Sequence, residues 1–142
     1  MSALEAARAT IQLNGSGPLP EEISYPVAAD AICFAGGIAV LDAGYVKPGE
    51  ADTGLIAVGI FQKSVDNTDG DDGDLTVPVR AGIFVLENAT AGDACAQTEA
   101  GTDIYILDDQ TVTKTDTGHS KVGKMVKMVS TKVAVLIGLG VV

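Results

Sequence analysis

Five aspartates, Asp66, Asp69, Asp71, Asp72 and Asp74, crowd into the nine-residue stretch DNTDGDDGD. Carboxylates this dense are the raw material of a calcium site, because Ca2+ collects several oxygen ligands. The spacing does not deliver one. No placement sets acids or Asn at the first, third and fifth positions, Gly at the sixth and an acid at the twelfth of a helix-flanked calcium loop. A solvated turn holding no metal is the expectation, since Asn, Asp and Gly readily take the backbone angles that reverse a chain.

His119 is the only histidine and lies among Thr, Gly, Ser and Lys, in an expected exposed loop. No nucleophile stands beside it in a recognisable arrangement, and no G-x-S-x-G elbow occurs. Gly36-Gly37 lacks both the G-x-G-x-x-G spacing and a following helix that would cradle phosphate. No catalytic residue, cofactor site or metal site is assigned. Cys33 and Cys95 lie far apart with no C-x-x-C spacing, which favours two small buried thiols.

Lys121, Lys124, Lys127 and Lys132 gather near the C-terminus without interleaved aromatics for base stacking. The chain carries a net charge of −10, which would repel phosphate, so no nucleic-acid partner is expected. That charge is uneven: residues 1–50 carry −4, residues 51–109 carry −10, and residues 110–142 carry +4. Such polarity suits packing between copies or onto a larger protein, and ordinary solvated faces account for it equally well. The four lysines read either as a positive rim for an acidic partner or as edge protection against unwanted strand pairing.

The elements that would carry these residues are short strands. With 142 residues, 17 Gly and no Trp, the chain fits one domain whose core is built from Val, Ile, Leu and Ala. Residues 55–63 and 75–86 read as two paired strands around the acidic turn, with Val77, Val79, Ile83 and Val85 in period-two alternation. Residues 23–27, 31–34 and 38–41 are further strands in a small meander, with Pro26 favouring a sheet edge. Residues 94–99 suggest a helical turn. Residues 102–107 and 111–115 form strands, with Ile104 and Ile106 on one face. Residues 121–129 and 132–139 form a hairpin about Ser130-Thr131, with a bulge expected at Gly123.

Residues 1–22 differ from the rest. An Ala-rich start and then NGSGPLPEE argue for an arm that is loose or ordered only against something else, leaving residues 23–142 as the β-rich body. No basic start leads into a continuous apolar run, and the apolar tail VAVLIGLGVV is too short to span a bilayer. A soluble product made in the cytoplasm, with no membrane partner, is expected.

Taken in order, YPVAADAICFAGGIAVLDAGYVKPG, GLIAVGIFQKSVDNTDGDDGDLTVPVRAGIFVLENATAGD, GTDIYILDDQTVTKT, KVGKMVKM and KVAVLIGL resemble the head decoration, or capsid cement, proteins of tailed bacteriophages. Val77, Val79, Arg80, Gly82 and Phe84 hold the places of a V-x-V-R-x-G-x-F strand. Gly101, Tyr105, Asp108, Asp109, Thr111 and Val112 hold those of a G-x-x-x-Y-x-x-D-D-x-T-V segment. The resemblance runs from about Ile23 to Leu139 and leaves the arm without a matching motif. It implies a non-enzymatic virion protein on the capsid exterior that clamps neighbouring major capsid subunits, as a homotrimer or alternatively a dimer. The fold expected is all-β, a small barrel or jelly-roll-like sandwich, with Leu4, Ile11 and Leu13 as arm anchors on the capsid. A surface-displayed host- or glycan-binding module is the alternative, and it requires a concave patch of exposed aromatics.

Overall fold

The chain is all-β, and the computed structural model describes residues 22–139. Twelve strands are present among them: β1 (Ile23–Pro26), β2 (Ile32–Cys33), β3 (Ile38–Asp42), β4 (Tyr45–Pro48), β5 (Ile56–Phe61), β6 (Val65–Asp66), β7 (Thr76–Arg80), β8 (Gly82–Asn88), β9 (Asp103–Ile106), β10 (Thr111–Thr113), β11 (Lys121–Val129) and β12 (Lys132–Ile137). Two short 3-10 turns are also present, Ala91–Asp93 and Gln97–Glu99, the second within the stretch 94–99 where a helical turn was expected.

The strands form two larger units. One is a five-stranded antiparallel sheet in the order β1-β7-β5-β3-β4. It curls until Val27, just past β1, makes an isolated parallel bridge to Val46 of β4. The other is a closed barrel in the order β10-β8-β12-β11-β9, with β10 returning to pair with β9. Closure leaves its strands no unpaired edge on which another chain could extend the sheet. β2 and β6 form a separate two-stranded ladder.

Two cores follow, where one had been expected. Val27, Cys33, Ala39, Val46, Val58, Phe61, Val77 and Val79 fill the curled sheet. Ile104, Ile106, Val112, Val122, Met125, Val133, Val135 and Ile137 fill the barrel and meet Ile38, Val40, Ala57 and Ile60 from β3 and β5. Strands β3 and β5 are thus a wall shared by both cores, apolar on both faces. This explains why IAVGIF reads as an unbroken apolar run: a strand buried on two sides has no polar face to alternate with.

The stretch 75–86 is two strands rather than one. β7 pairs with β1 and β5, while β8 leaves for the barrel. The face changes with the sheet: Val77 and Val79 are buried, whereas Ile83 and Val85 are exposed and Leu86 is buried instead. Gly82, at φ +155, sits at the corner in a conformation that side chains rarely adopt. The expected long hairpin accordingly survives as two residue pairs, Ile60 with Arg80 and Phe61 with Val79. The expected meander is also local only at β3–β4, because β1 and β2 find their partners in β7 and β6.

Other expectations hold. β1 with Pro26 is an edge strand of its sheet, and Ser130 turns the β11–β12 hairpin at φ +58. β11 is bulged twice, once at 121–123 against β9 and once at 125–127 against β12. At Gly123 an added Cβ would stand 2.0 Å from the Leu136 carbonyl oxygen, so the crossing strands approach too closely for any side chain.

Candidate functional site

The acidic turn is an internally bonded structure. Asp66 Oδ1 accepts from the Thr68 hydroxyl and from its backbone N–H, and these bonds hold the Asp66 carboxyl below the usual range. Asp72 Oδ1 accepts from Ala29 N at 2.8 Å, Asp30 Oδ1 from Asp69 N at 2.7 Å, and Asp74 Oδ2 from Asp71 N at 2.9 Å. At the centre Asn67, 3% exposed, donates through Nδ2 to the carbonyls of Ala28 and Asp71 at 2.9 and 3.1 Å. The turn is solvated as expected, with all five aspartates exposed, but it is anchored from within by the buried Asn67 and by β6, which enters a ladder with β2. Among the described residues, no group of three or more His, Cys, Asp or Glu side chains is placed to hold a metal ion.

His119 is half-buried rather than exposed, with Nδ1 2.8 Å from the Ile106 carbonyl oxygen. Cys33 and Cys95 are buried free thiols, and burial pushes both up to about 11. At neutral pH they are protonated and poor nucleophiles.

The lysines are largely occupied within the chain. Lys124 Nζ lies 2.6 Å and Lys121 Nζ 3.4 Å from the Asp103 carboxylate, and Lys132 pairs with Glu87 at 3.0 Å. Lys124 first, then Lys121, hold the Asp103 carboxyl below its ordinary range. Lys121, Lys124 and Lys132 thus each have an acidic partner on the barrel wall.

That wall carries an apolar strip. Across the β8–β12 ladder Ile83 stands opposite Leu136, and Val85 stands opposite Ala134, which is itself buried. Ile83 is 60% exposed, Val85 53% and Leu136 37%, while Val133, Val135 and Ile137 between them point into the core. Lys124 adjoins Leu136 on β11, and exposed Val126 sits in the neighbouring bulge. Sequence reasoning placed Ile83 and Val85 on one face with Val77 and Val79. The signal that separates them is Gly82 at the corner.

Shallow depressions also lie among the described residues. One, of about 290 Å³, is lined by residues from 54–57 together with Ser120, Lys121 and Gly138. Ser120 is buried there, donating to the Asp52 carbonyl and accepting from Leu55 N. Another, of about 310 Å³, is lined by Phe34, Ala35, Gly36, Gly37, Asp109 and Gln110, with Phe34 60% exposed. In the first depression the Ser120 hydroxyl is thus bonded to backbone groups, and Lys121 is paired with Asp103. The expected arm anchors Leu4, Ile11 and Leu13 lie outside the described residues. Comparison of the chain with protein-family models, with curated proteins and with solved structures finds no match.

Proposed function

We propose that this chain is a non-enzymatic structural protein of a phage virion that binds the capsid exterior and stabilises contacts between major capsid subunits. The observation that carries the reading is how the surface is divided. Carboxylates and ammonium groups are used on the chain's own turns and strands, as at Asp72, Asp74 and Asp103, while Ile83, Val85 and Leu136 stay in solvent. A surface so arranged offers adhesion rather than turnover, because exposed apolar strips mark contact sites. The ordered series of blocks resembling head decoration proteins points the same way, with the major capsid protein as partner and a homotrimer, or a dimer, as the assembled form.

Repetition around a shell would let modest individual contacts act together. The test is addition of purified chain to phage heads that lack it. Saturable binding at a fixed ratio to capsid subunits, with raised resistance of the heads to heat, is the expected result. Heads that leave the chain wholly in solution would overturn the reading.

A glycan-binding module is the second reading, and Phe34 is the observation that favours it. An exposed ring beside the Asp109 carboxylate and the Gln110 amide offers a stacking face and hydrogen-bonding groups to a sugar. A glycan array would register a hit that Phe34→Ala abolishes.

A further inference from the structure

We propose that the β8–β12 wall of one copy of the chain receives the acidic turn of a second copy, with the second copy's Leu75 resting on Ile83, Val85 and Leu136. The inference deepens the assembled form proposed above, yet it rests on the chain's own surfaces and is tested without a capsid.

The receiving wall is laid out in columns. Ile83 and Val85 lie on β8, Leu136 lies opposite Ile83 on β12, and Lys124 and Lys127 lie on β11 beside Leu136 and Ala134. Neighbouring strands are about 4.8 Å apart, so the lysine column runs roughly 10 Å from the β8 column. Lys124 shares the single Asp103 carboxylate with Lys121, and exposed Lys127 has no ion pair among the described residues. One side of the wall is therefore apolar and the other carries unbalanced positive charge.

The turn has the complementary make-up. Leu75 is 41% exposed and follows Asp71, Asp72 and Asp74, all of them exposed. Asp72 and Asp74 accept from backbone N–H groups, which carry no net charge, and none of the five turn aspartates is in an ion pair among the described residues. Asp74 N donates to the Asp71 carbonyl at 3.2 Å, a turn that keeps these two residues within about 7 Å of each other. Their carboxylates thus stand off from Leu75 by a distance like that between strip and lysines. The knob is also held in place: Gly73 N donates to the Val27 carbonyl and Val27 N to the Leu75 carbonyl, both at 2.9 Å. A feature already fixed loses little freedom on docking.

Within one chain the two features stay apart, since both are exposed and β7, about 16 Å long, carries the chain from Leu75 to the corner before Ile83. Between copies they fit head to tail, apolar on apolar and carboxylate over ammonium. Wall against wall fits worse. A two-fold pairing of that kind would set Lys124 and Lys127 against their own counterparts or against Ile83 and Val85, and covering an unpaired charge is costly. The strip offers on the order of 300 Å², below the roughly 800 Å² per partner of a stable interface, so the contact is weak and gains when copies are held side by side.

The experiment is sedimentation velocity on the full chain from roughly 10 µM to 1 mM, the range in which so small an interface associates. A sedimentation coefficient that rises with concentration is expected. L75S alone and I83S/V85S alone should each remain monomeric, while an equimolar mixture of the two should form dimers and go no further, because one intact wall then meets one intact turn. K127E, which touches no apolar residue, should weaken the wild-type association several-fold. A wild-type chain that stays monomeric throughout would overturn the proposal. So would association that survives in L75S, which would assign the wall to another occupant, or variants that fail to complement each other. Particle binding is scored separately, so either idea can fail without the other.

Discussion

Ile83 and Leu136 face each other across the β8–β12 ladder with both side chains in solvent, while Val135, the next residue back on β12, is wholly buried. Adjacent positions on one strand thus do opposite work. Apolar character at Val135 stabilises the barrel, whereas at Leu136, 37% exposed, and more so at Ile83, 60% exposed, it contributes less, because surface left in water gains little from folding.

The double variant I83T/L136T should therefore cost less than about 1 kcal/mol in urea unfolding, since Thr retains strand propensity at an exposed site. V135A alone should cost about 2 kcal/mol, through lost transfer energy and the cavity left behind. Equal losses in the two variants would mean that the strip is part of the core. I83T/L136T should still weaken binding to phage heads if the wall takes part in docking.

The contrast also marks where local pattern stops being informative. Turn chemistry at 42–44 and 130–131, the edge position of Pro26 and the burial of Ile104 and Ile106 follow from side-chain types and period-two alternation. The face that a strand turns inward depends on which core it serves, and that is decided by partners distant in the chain. β7 and β8 are separated by Ala81 alone, yet one looks into the curled sheet and the other into the barrel. A run of alternating Val and Ile cannot carry that distinction. The candidate wall was obscured for the same reason, since Ile83 and Val85 looked like core.

Asn67 provides a test of the acidic turn. Its amide donates to two carbonyls, those of Ala28 and Asp71, and an added Cβ on Gly70 would lie 2.0 Å from Asn67 Oδ1. N67A removes the buried amide that ties together two part-buried carbonyls, at a cost of about 1 kcal/mol. Hydrogen exchange should speed up across residues 66–74 and at Ala29 N, which is bonded to Asp72. Unchanged exchange there would show that the aspartates hold the turn without the amide.

Asp103 sets a small acid dependence. Lys124, then Lys121, lower its folded-state pKa, so its stabilising contribution is present above the unfolded value, about 4, and is lost as pH falls through the folded value. The lysines are part-exposed, and solvent keeps the effect modest. D103N should flatten the stability profile below pH 4 relative to wild type in urea titrations. A variant whose acid limb keeps the wild-type slope would show that the pair is electrostatically idle.

Cys33 and Cys95 predict the alkaline limb. Burial raises both thiols from the ordinary 9.0 to about 11, so the folded state keeps protons that the unfolded chain has already released. Their contribution is complete below pH 9 and declines as pH rises toward 11. Urea midpoints should fall over that interval, and C33A/C95A should fall less steeply, the difference separating the thiols from Tyr and Lys groups that titrate nearby. At pH 8 a thiol reagent should label neither residue in the folded chain and both in denaturant, because only opening of the two cores exposes sulfur. Fast labelling of either thiol in the native chain would mean that its core opens locally, with no need for global unfolding.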